Sequence, residues 1–218
     1  MILTCLAHSM FLIELSNGLR IVTDPTDASS EFSGAPVPCD AVLVSHHHFD
    51  HCAMESVSGA AQVIDTAGSH TLAPGVTVTS IAVWHDDAQG AKRGANLIHV
   101  LEAEGLRIAH LGDLGHPLTP AQAAMVGKVD LLLAPVGGFY TIDAATAKAT
   151  AQQLKASVVL PMHYKTSVTA GWAIAGLDCF IALYQEKDIR TQPLMRVTQE
   201  DLMCQAPVVV LTPERVVG

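Results

Sequence analysis

The chain has 218 residues, with 21 acidic against 12 basic side chains and a formal net charge of −9 when histidine is counted as neutral. This charge disfavours nucleic acid as the main partner, because neutralising phosphates requires clustered lysine and arginine. Half of the residues are hydrophobic and 15% are charged, which predicts a single domain over residues 1–218 with a large core.

The cysteine content predicts a reducing, cytoplasmic location. The five cysteines are odd in number and include no C-x-x-C pair, so reduced thiols are favoured over a disulfide framework. The apolar segment 1–15 lacks a basic leader and is typical of two short strands rather than of a signal peptide. No apolar run has the length of about 18 residues that a membrane-spanning helix needs, so we expect no membrane partner.

The first half of the chain predicts short strands that lead to a polar cluster. Residues 12–15 and 18–22 predict a hairpin with an Asn-Gly turn. Segment 31–38 is polar, contains Pro and Gly, and predicts a loop at the mouth of a site. Residues 41–44 form a short apolar, β-branched run that predicts a buried strand.

A histidine-rich cluster follows this strand directly. It has the pattern His-x-His-x-Asp-His, formed by His46, His48, Asp50 and His51. Imidazole and carboxylate groups suit zinc and other divalent transition metals, and four such ligands in six residues suggest two metals side by side. A solvated polar loop is the alternative, but ligands at the end of a buried strand lie where open α/β sheets place their sites.

The second half of the chain repeats the series of the first. Residues 97–100 and 105–109 predict another hairpin, and 130–134 match 40–44. A shared Gly-Leu-Arg-Ile run favours duplication of a strand-rich half over chance similarity, and a period of about 90 residues is far too long for a solenoid. Where the first half carries the histidine cluster, the second carries Gly137 and Gly138, which would let backbone approach metals or substrate closely.

Helices are predicted at four places, and two further strands near the end. Residues 119–126 have Thr119 as the N-cap and Pro120 at the first helical position, and residues 143–154 begin at a capping aspartate. The other predicted helices are 53–57 and 177–186, and the late strands are 195–199 and 208–211.

The His-x-His-x-Asp-His loop resembles the hallmark of the metallo-β-lactamase superfamily, and the chain looks closest to its stand-alone metal-dependent hydrolases, the ascorbate-6-phosphate lactonase-like branch. This resemblance covers about residues 7–165 and implies three further ligands, His85, Asp113 and His163. It also implies a four-layer αββα sandwich of the α/β (α+β) class, in which two mixed sheets pack face to face. Segment 134–141 is similar to a Pro-x-Gly-Gly stretch of the same branch.

The same resemblance divides the ligands between two sites and implies a bridge. The first site is expected to use His46, His48 and His85, and the second Asp50, His51 and His163, with Asp113 shared between them. Asp50 is also a candidate catalytic proton acceptor. Other carboxylates, Asp24, Asp86 and Asp87, are predicted to serve turns or to support the ligands.

Four further residues are candidates for contact with substrate. His8 lies in a turn that resembles one near the pocket of related proteins, and His116 is close in sequence to Asp113. Tyr140 and Tyr164 could present polar tips, although ordinary core aromatics with a satisfied hydroxyl are the alternative.

Together these features predict a hydrolase that uses a metal-bridging hydroxide on a small ester, lactone or phosphoester. The expected cofactors are two divalent ions, with zinc favoured over manganese or iron. The expected partner is a small-molecule substrate, and self-association into a homo-oligomer is left open. The alternatives are an iron-binding oxidoreductase of the same fold, a phosphodiesterase or nuclease, and a metal-binding protein without catalysis.

Overall fold

The computed structural model describes residues 1–214 and contains sixteen strands and three α-helices. The strands in chain order are β1 (Ile2–Ala7), β2 (Met10–Glu14), β3 (Arg20–Thr23), β4 (Val37–Pro38), β5 (Ala41–Leu43), β6 (Val57–Ser58), β7 (Gln62–Ile64), β8 (Gly68–Ala73), β9 (Val76–Trp84), β10 (Ala95–Ala103), β11 (Leu106–His110), β12 (Leu131–Pro135), β13 (Val158–Met162), β14 (Ile189–Gln192), β15 (Leu194–Arg196) and β16 (Val208–Leu211). The helices are α1 (Pro120–Val126), α2 (Ala144–Gln153) and α3 (Asp178–Ile181).

Two large sheets repeat one topology. The six-stranded sheet has the order β15-β1-β2-β3-β5-β7, and the eight-stranded sheet has the order β14-β16-β13-β12-β11-β10-β9-β8. In each, an antiparallel meander (β1 to β3, or β9 to β11) continues into two parallel strands (β5 and β7, or β12 and β13). This correspondence is the one that the sequence repeat predicts.

The sheets pack face to face around a shared apolar core. Phe11 and Ile21 from the six-stranded sheet belong to one buried cluster with Leu101 and Ile108 from the eight-stranded sheet. Each of these four side chains is at most 2% exposed, and burying a large aliphatic or aromatic side chain contributes about 1.5–3 kcal/mol. The predicted α/β class, with two mixed sheets packed face to face, is confirmed.

The two outer layers differ in kind. Helices α1 to α3 cover the eight-stranded sheet, where Val126, Ala147 and Phe180 are buried. Within residues 1–214, the six-stranded sheet is covered instead by 3-10 turns and by the parallel pair β4–β6, which buries Phe32, Val37 and Val57. No helix in this described part is long and apolar enough to cross a membrane.

The helix predictions succeed where the capping chemistry is explicit. Thr119 accepts the Gln122 N–H and Gln122 reaches back to the Thr119 N–H, forming a complete capping box for α1. The predicted helix 53–57 is a 3-10 turn (Met54–Ser56), because Val57 pairs with Val37 as a strand. The predicted helix 177–186 is wrong in length, since only Asp178–Ile181 is α-helical and the chain then continues in tighter i→i+3 turns.

Candidate metal centre

The predicted ligands meet at one edge of the two sheets, and most of them follow a strand end. The histidine cluster comes after β5, and three further side chains come after β9, β11 and β13. The full set is His46, His48, Asp50, His51, His85, Asp113 and His163. A backbone hydrogen bond from Leu97 N–H to the Ser45 carbonyl, 2.9 Å long, ties the cluster loop to the opposite sheet.

The Asp113 carboxylate lies at the centre of this set. Its Oδ2 is 3.2 Å from Nε2 of both His85 and His163, and its Oδ1 is 3.2 Å from Nε2 of His51. Burial alone would raise the pKa of Asp113, but the His163 and His51 imidazoles hold that pKa well below its ordinary value. A charged carboxylate that contacts ligands of both expected sites is placed as a bridging ligand would be.

The ligand atoms fall into overlapping groups, each compact enough for one ion. Within each group the ligand atoms lie within 4.8 Å of one another. One group is His46, His48 and His85, another is His46, His51 and Asp113, and a third is His8, Asp50, His51 and His163. The donor set of imidazoles and carboxylates is the one that zinc, manganese and iron accept in proteins.

The buried ligand atoms have the character that metal binding needs. Nε2 of His51 and Oδ1 of Asp113 are buried and make no hydrogen bond within the described residues, although they lie opposite each other as an ion pair. Burial lowers the pKa of His46 to about 2, so its imidazole is neutral, which is the form that binds a metal. These residues therefore fit the divalent cations that the ligand pattern implies.

Asp24 supports the ligand His51 through a hydrogen bond, as predicted for this carboxylate. It is fully buried, and its carboxylate accepts the Ser45 N–H at 2.7 Å and the Ser45 hydroxyl at 2.6 Å. The same carboxylate accepts a hydrogen bond from Nδ1 of His51 at 2.7 Å. Such a carboxylate–histidine contact fixes the ring so that Nε2 faces the metal position.

Three residues at the site have left-handed backbone conformations. They are His8, Asp24 and His163, with φ of 50°, 38° and 51°, and each directly follows a strand. Residues other than glycine adopt this conformation at an energetic cost, and such positions concentrate at functional sites. The conformation turns the chain sharply at the strand end and directs the side chain inward.

Glycines allow neighbouring loops of the eight-stranded sheet to pack closely around the ligands. A Cβ on Gly115 would lie 2.2 Å from the His85 carbonyl carbon, and a Cβ on Gly112 would lie 2.4 Å from Asn96 Oδ1. The Asn96 amide in turn accepts the Asp113 N–H at 2.9 Å. A Cβ on Gly137 would lie 2.4 Å from the His163 carbonyl oxygen, so this glycine admits ligand-bearing backbone.

A cavity of about 420 Å³ opens above the centre. Its wall includes five of the metal-ligand candidates together with the predicted Tyr140 and with Phe49, Arg93 and Trp172. The last three were not expected from the sequence. The available signals were weak: a Lys-Arg pair in an acidic chain, one of only two tryptophans, and a phenylalanine within the metal loop.

The remaining candidates lie away from the cavity wall. His8 is 4% exposed and lies beside His163, with ring centroids 4.3 Å apart, and neither of its ring nitrogens has a hydrogen-bond partner in the described chain. The half-buried His116 accepts the Trp84 N–H, and Tyr164 packs against the apolar cluster under the helices. Burial raises the pKa of Tyr164 above its ordinary value.

Glu31, in the predicted mouth loop, connects His8 to the segment that carries Trp172. Its carboxylate accepts the His8 N–H at 3.3 Å and the hydroxyl groups of Thr166 and Thr169. Burial raises the pKa of Glu31, an effect that these hydrogen bonds partly offset. The mouth loop thus holds one wall of the cavity in place.

Comparison with known proteins agrees with this architecture. The family model of the β-lactamase superfamily domain matches residues 2–163. A UPF0173 metal-dependent hydrolase from a Polaromonas species is 31% identical over 205 residues, covering 73% of this chain and 75% of its own length. The chain therefore belongs to the β-lactamase superfamily.

Two solved structures narrow the class. A candidate Zn-dependent hydrolase of the metallo-β-lactamase superfamily from Thermotoga maritima is 34% identical, with a TM-score of 0.77 over 96% of this chain and 97% of its own. Igni18, a metallo hydrolase from Ignicoccus hospitalis, is 25% identical, with a TM-score of 0.61 over 75% of this chain and 82% of its own. The protein is a metal-dependent hydrolase of this superfamily.

Proposed function

We propose that this protein hydrolyses a small ester, lactone or phosphoester at a centre of two divalent ions, with zinc as the preferred metal. The observation that carries the proposal is the position of Asp113, whose two oxygens contact histidines of both expected sites. When bound, two such ions supply a hydroxide nucleophile near neutral pH and polarise the attacked oxygen.

The protein's own groups have separate tasks in this proposal. Three imidazoles, those of His46, His48 and His85, would hold the first ion, and Asp50, His51 and His163 would hold the second. Asp113 would be shared between them and fix their separation. Asp50 lines the cavity, and its Oδ2 is 3.6 Å from His51 Nε2 and 3.7 Å from His8 Nε2. Its carboxylate would accept a proton during turnover.

The size and lining of the cavity support a small substrate. Arg93 is the one cationic side chain among the described residues that line it, and the aromatic rings of Phe49, Tyr140 and Trp172 form much of the rest. A polynucleotide would need a row of lysine and arginine along a groove. A compact molecule would fill the cavity and displace water from the reacting bond. The five unpaired cysteines support a cytoplasmic location.

The test is a metal analysis followed by hydrolysis assays. The protein purified without chelator should contain close to two transition-metal ions per chain and should hydrolyse members of a panel of lactones, carboxylic esters and phosphodiesters. Chelation should abolish turnover, and adding back divalent metal should restore it. Asp50→Asn, which keeps the size of the side chain, should lower kcat more than it changes KM.

The same experiment separates the alternatives. Turnover that persists in excess chelator would rule out metal-dependent hydrolysis. Activity confined to oxygen-dependent oxidation with bound iron would establish the oxidoreductase instead. Selective cleavage of the phosphodiester substrates would establish the phosphodiesterase or nuclease alternative.

A further inference from the structure

Arg93 places a positive charge in the wall of the cavity that is also lined by the metal-ligand candidates. It lies in the loop between β9 and β10, directly after the metal-ligand candidate His85 and its turn. The guanidinium shares this cavity with Asp113 and His163 at the floor. A side chain that carries charge is therefore within the space that a substrate would occupy.

The loop that carries Arg93 is held by one carboxylate. Asp86 accepts the backbone N–H groups of Ala88, Gly90, Lys92 and Arg93, at distances of 2.7 to 2.9 Å. Four such hydrogen bonds to a charged acceptor fix the backbone from which the Arg93 side chain extends. The backbone at Arg93 is thus fixed before any ligand binds.

The guanidinium lies over two aromatic rings. Its central carbon is 5.3 Å from the Tyr140 ring centroid and 5.9 Å from the Phe139 ring centroid. Such cation–π contact uses none of the N–H groups of an arginine, which remain available as donors. No carboxylate among residues 1–214 forms an ion pair with Arg93, whereas its neighbour Lys92 pairs with Asp87 at 2.6 Å.

From this geometry we infer that Arg93 binds an anionic group of the substrate, a carboxylate or a phosphate, while the scissile bond lies at the metal centre. A planar guanidinium with free edge donors matches the two oxygens of either group. The inference rests on the proposed function and narrows its substrate class to small esters or lactones that carry a separate negative charge. Phe49 and Trp172, whose ring centroids are 6.0 Å apart, would cover the apolar part of such a molecule.

The experiment compares matched substrates on the metal-loaded protein. Phenyl acetate is the neutral ester, 4-acetoxybenzoate adds a carboxylate remote from the ester, and 4-acetoxyphenyl phosphate adds a phosphate instead. We expect the wild-type protein to prefer an anionic ester, and Arg93→Met to reduce that preference in kcat/KM at least tenfold, mainly through KM. Whichever anionic ester loses more identifies the group that is recognised.

Two variants serve as controls. Lys92→Gln removes the neighbouring charge outside the cavity and should leave the preference for anionic esters unchanged. Arg93→Lys keeps the charge without the planar pair of donors and should restore only part of the preference. Thermal melting of each variant confirms that it is folded. An equal change in kcat/KM for neutral and anionic esters in Arg93→Met would overturn the inference.

A binding measurement keeps the inference separate from the proposed function. If the metal-loaded protein hydrolyses none of the three esters, calorimetric titration with 4-hydroxybenzoate and with phenyl phosphate still tests Arg93. Arg93→Met should weaken the binding of at least one anion tenfold or more, while Lys92→Gln should not. Binding of both anions that is the same in the wild-type protein and in Arg93→Met would refute the role of Arg93.

Discussion

Replacing Asp24 by asparagine should loosen the second metal site without touching any ligand. The Asp24 carboxylate accepts hydrogen bonds from Ser45 and from Nδ1 of His51. Burial alone would raise the pKa of Asp24, but the His51 imidazole keeps that pKa below its ordinary value, so the carboxylate is charged. Asparagine has nearly the same shape, yet it removes the charge and replaces one acceptor oxygen with an NH₂ group.

The size of the effect follows from which hydrogen bonds the oxygen and the NH₂ group of the asparagine amide can make. If the amide oxygen accepts the Ser45 N–H, the NH₂ group faces Nδ1 of His51, where two donors would oppose each other. The ring can relieve this only by moving its proton to Nε2, which then cannot bind a metal. Loss of such a supporting partner typically weakens metal affinity by about 10–100-fold, or about 1.4–2.8 kcal/mol.

The metal-free protein should lose stability as well. Removing one partner from a buried charged network costs about 3–5 kcal/mol, and asparagine, which retains some hydrogen bonds, should fall near the lower figure. For a chain of this length, each kcal/mol corresponds to a fall in Tm of about 2–4 °C. We therefore expect Asp24→Asn to melt about 6–12 °C below the wild-type protein when both lack metal.

The assay is competition with a chromophoric chelator, which reports the affinity of each ion in turn. Asp130→Asn is the matched control, because Asp130 also accepts a backbone N–H, that of Arg107 at 2.8 Å, but lies away from the ligands. The control should bind both ions as the wild-type protein does. Wild-type affinity for both ions in Asp24→Asn would refute the idea that this carboxylate orients His51.

Three other predictions concern the ligands and the backbone around them. Asp113→Ala should weaken both ions whereas His163→Ala should weaken one, and full occupancy in Asp113→Ala by elemental analysis would contradict the bridge. Burial alone would lower the pKa of His51, but the carboxylates of Asp113 and Asp24 raise that pKa well above its ordinary value. His51 is therefore protonated near neutral pH without metal. Metal affinity should therefore rise with pH up to that pKa, with a proton released on binding that an indicator dye detects; affinity independent of pH would contradict this. Gly115→Ala would press a Cβ against the His85 backbone and should lower the free energy of unfolding by about 1–3 kcal/mol in denaturant titration. The control Gly171→Ala, at a position where nothing lies within 4 Å, should not. Equal stability of the two variants would contradict the close approach at Gly115.

The sequence is most informative where chemistry and strand periodicity coincide. Residues 41–44 are all apolar and predict a buried strand, so the cluster that begins at His46 was expected at a strand end, where the structure has it. The family resemblance, not the strand pattern, indicated His85, Asp113 and His163, and these three side chains come together within contact distance. Helix α1 was predictable because its cap and its first proline are local signals.

The sequence is least informative where contacts depend on distant segments. Arg93 reaches the rings at 139 and 140 only because the loop after β9 folds around Asp86 and meets the segment after β12. No local sequence pattern predicts this contact between distant segments. Similarly, Phe180 is the only fully buried side chain in the segment 177–186. One helical turn is enough to bury it, and the rest of the predicted helix does not form.

The duplicated topology explains why the site is asymmetric. Strands β5 and β12 are equivalent in the two sheets, yet the loop after β5 carries four ligand candidates while the segment after β12 begins with Val136 and two glycines. The Gly137 position has no room for a side chain because the His163 carbonyl lies against it. A histidine at this position would push against the His163 backbone. The six-stranded sheet thus carries four ligand candidates in one loop, whereas the eight-stranded sheet contributes His85, Asp113 and His163 one at a time. The segment after β12 supplies close backbone packing against His163 and, through residues 139 and 140, contacts to Arg93.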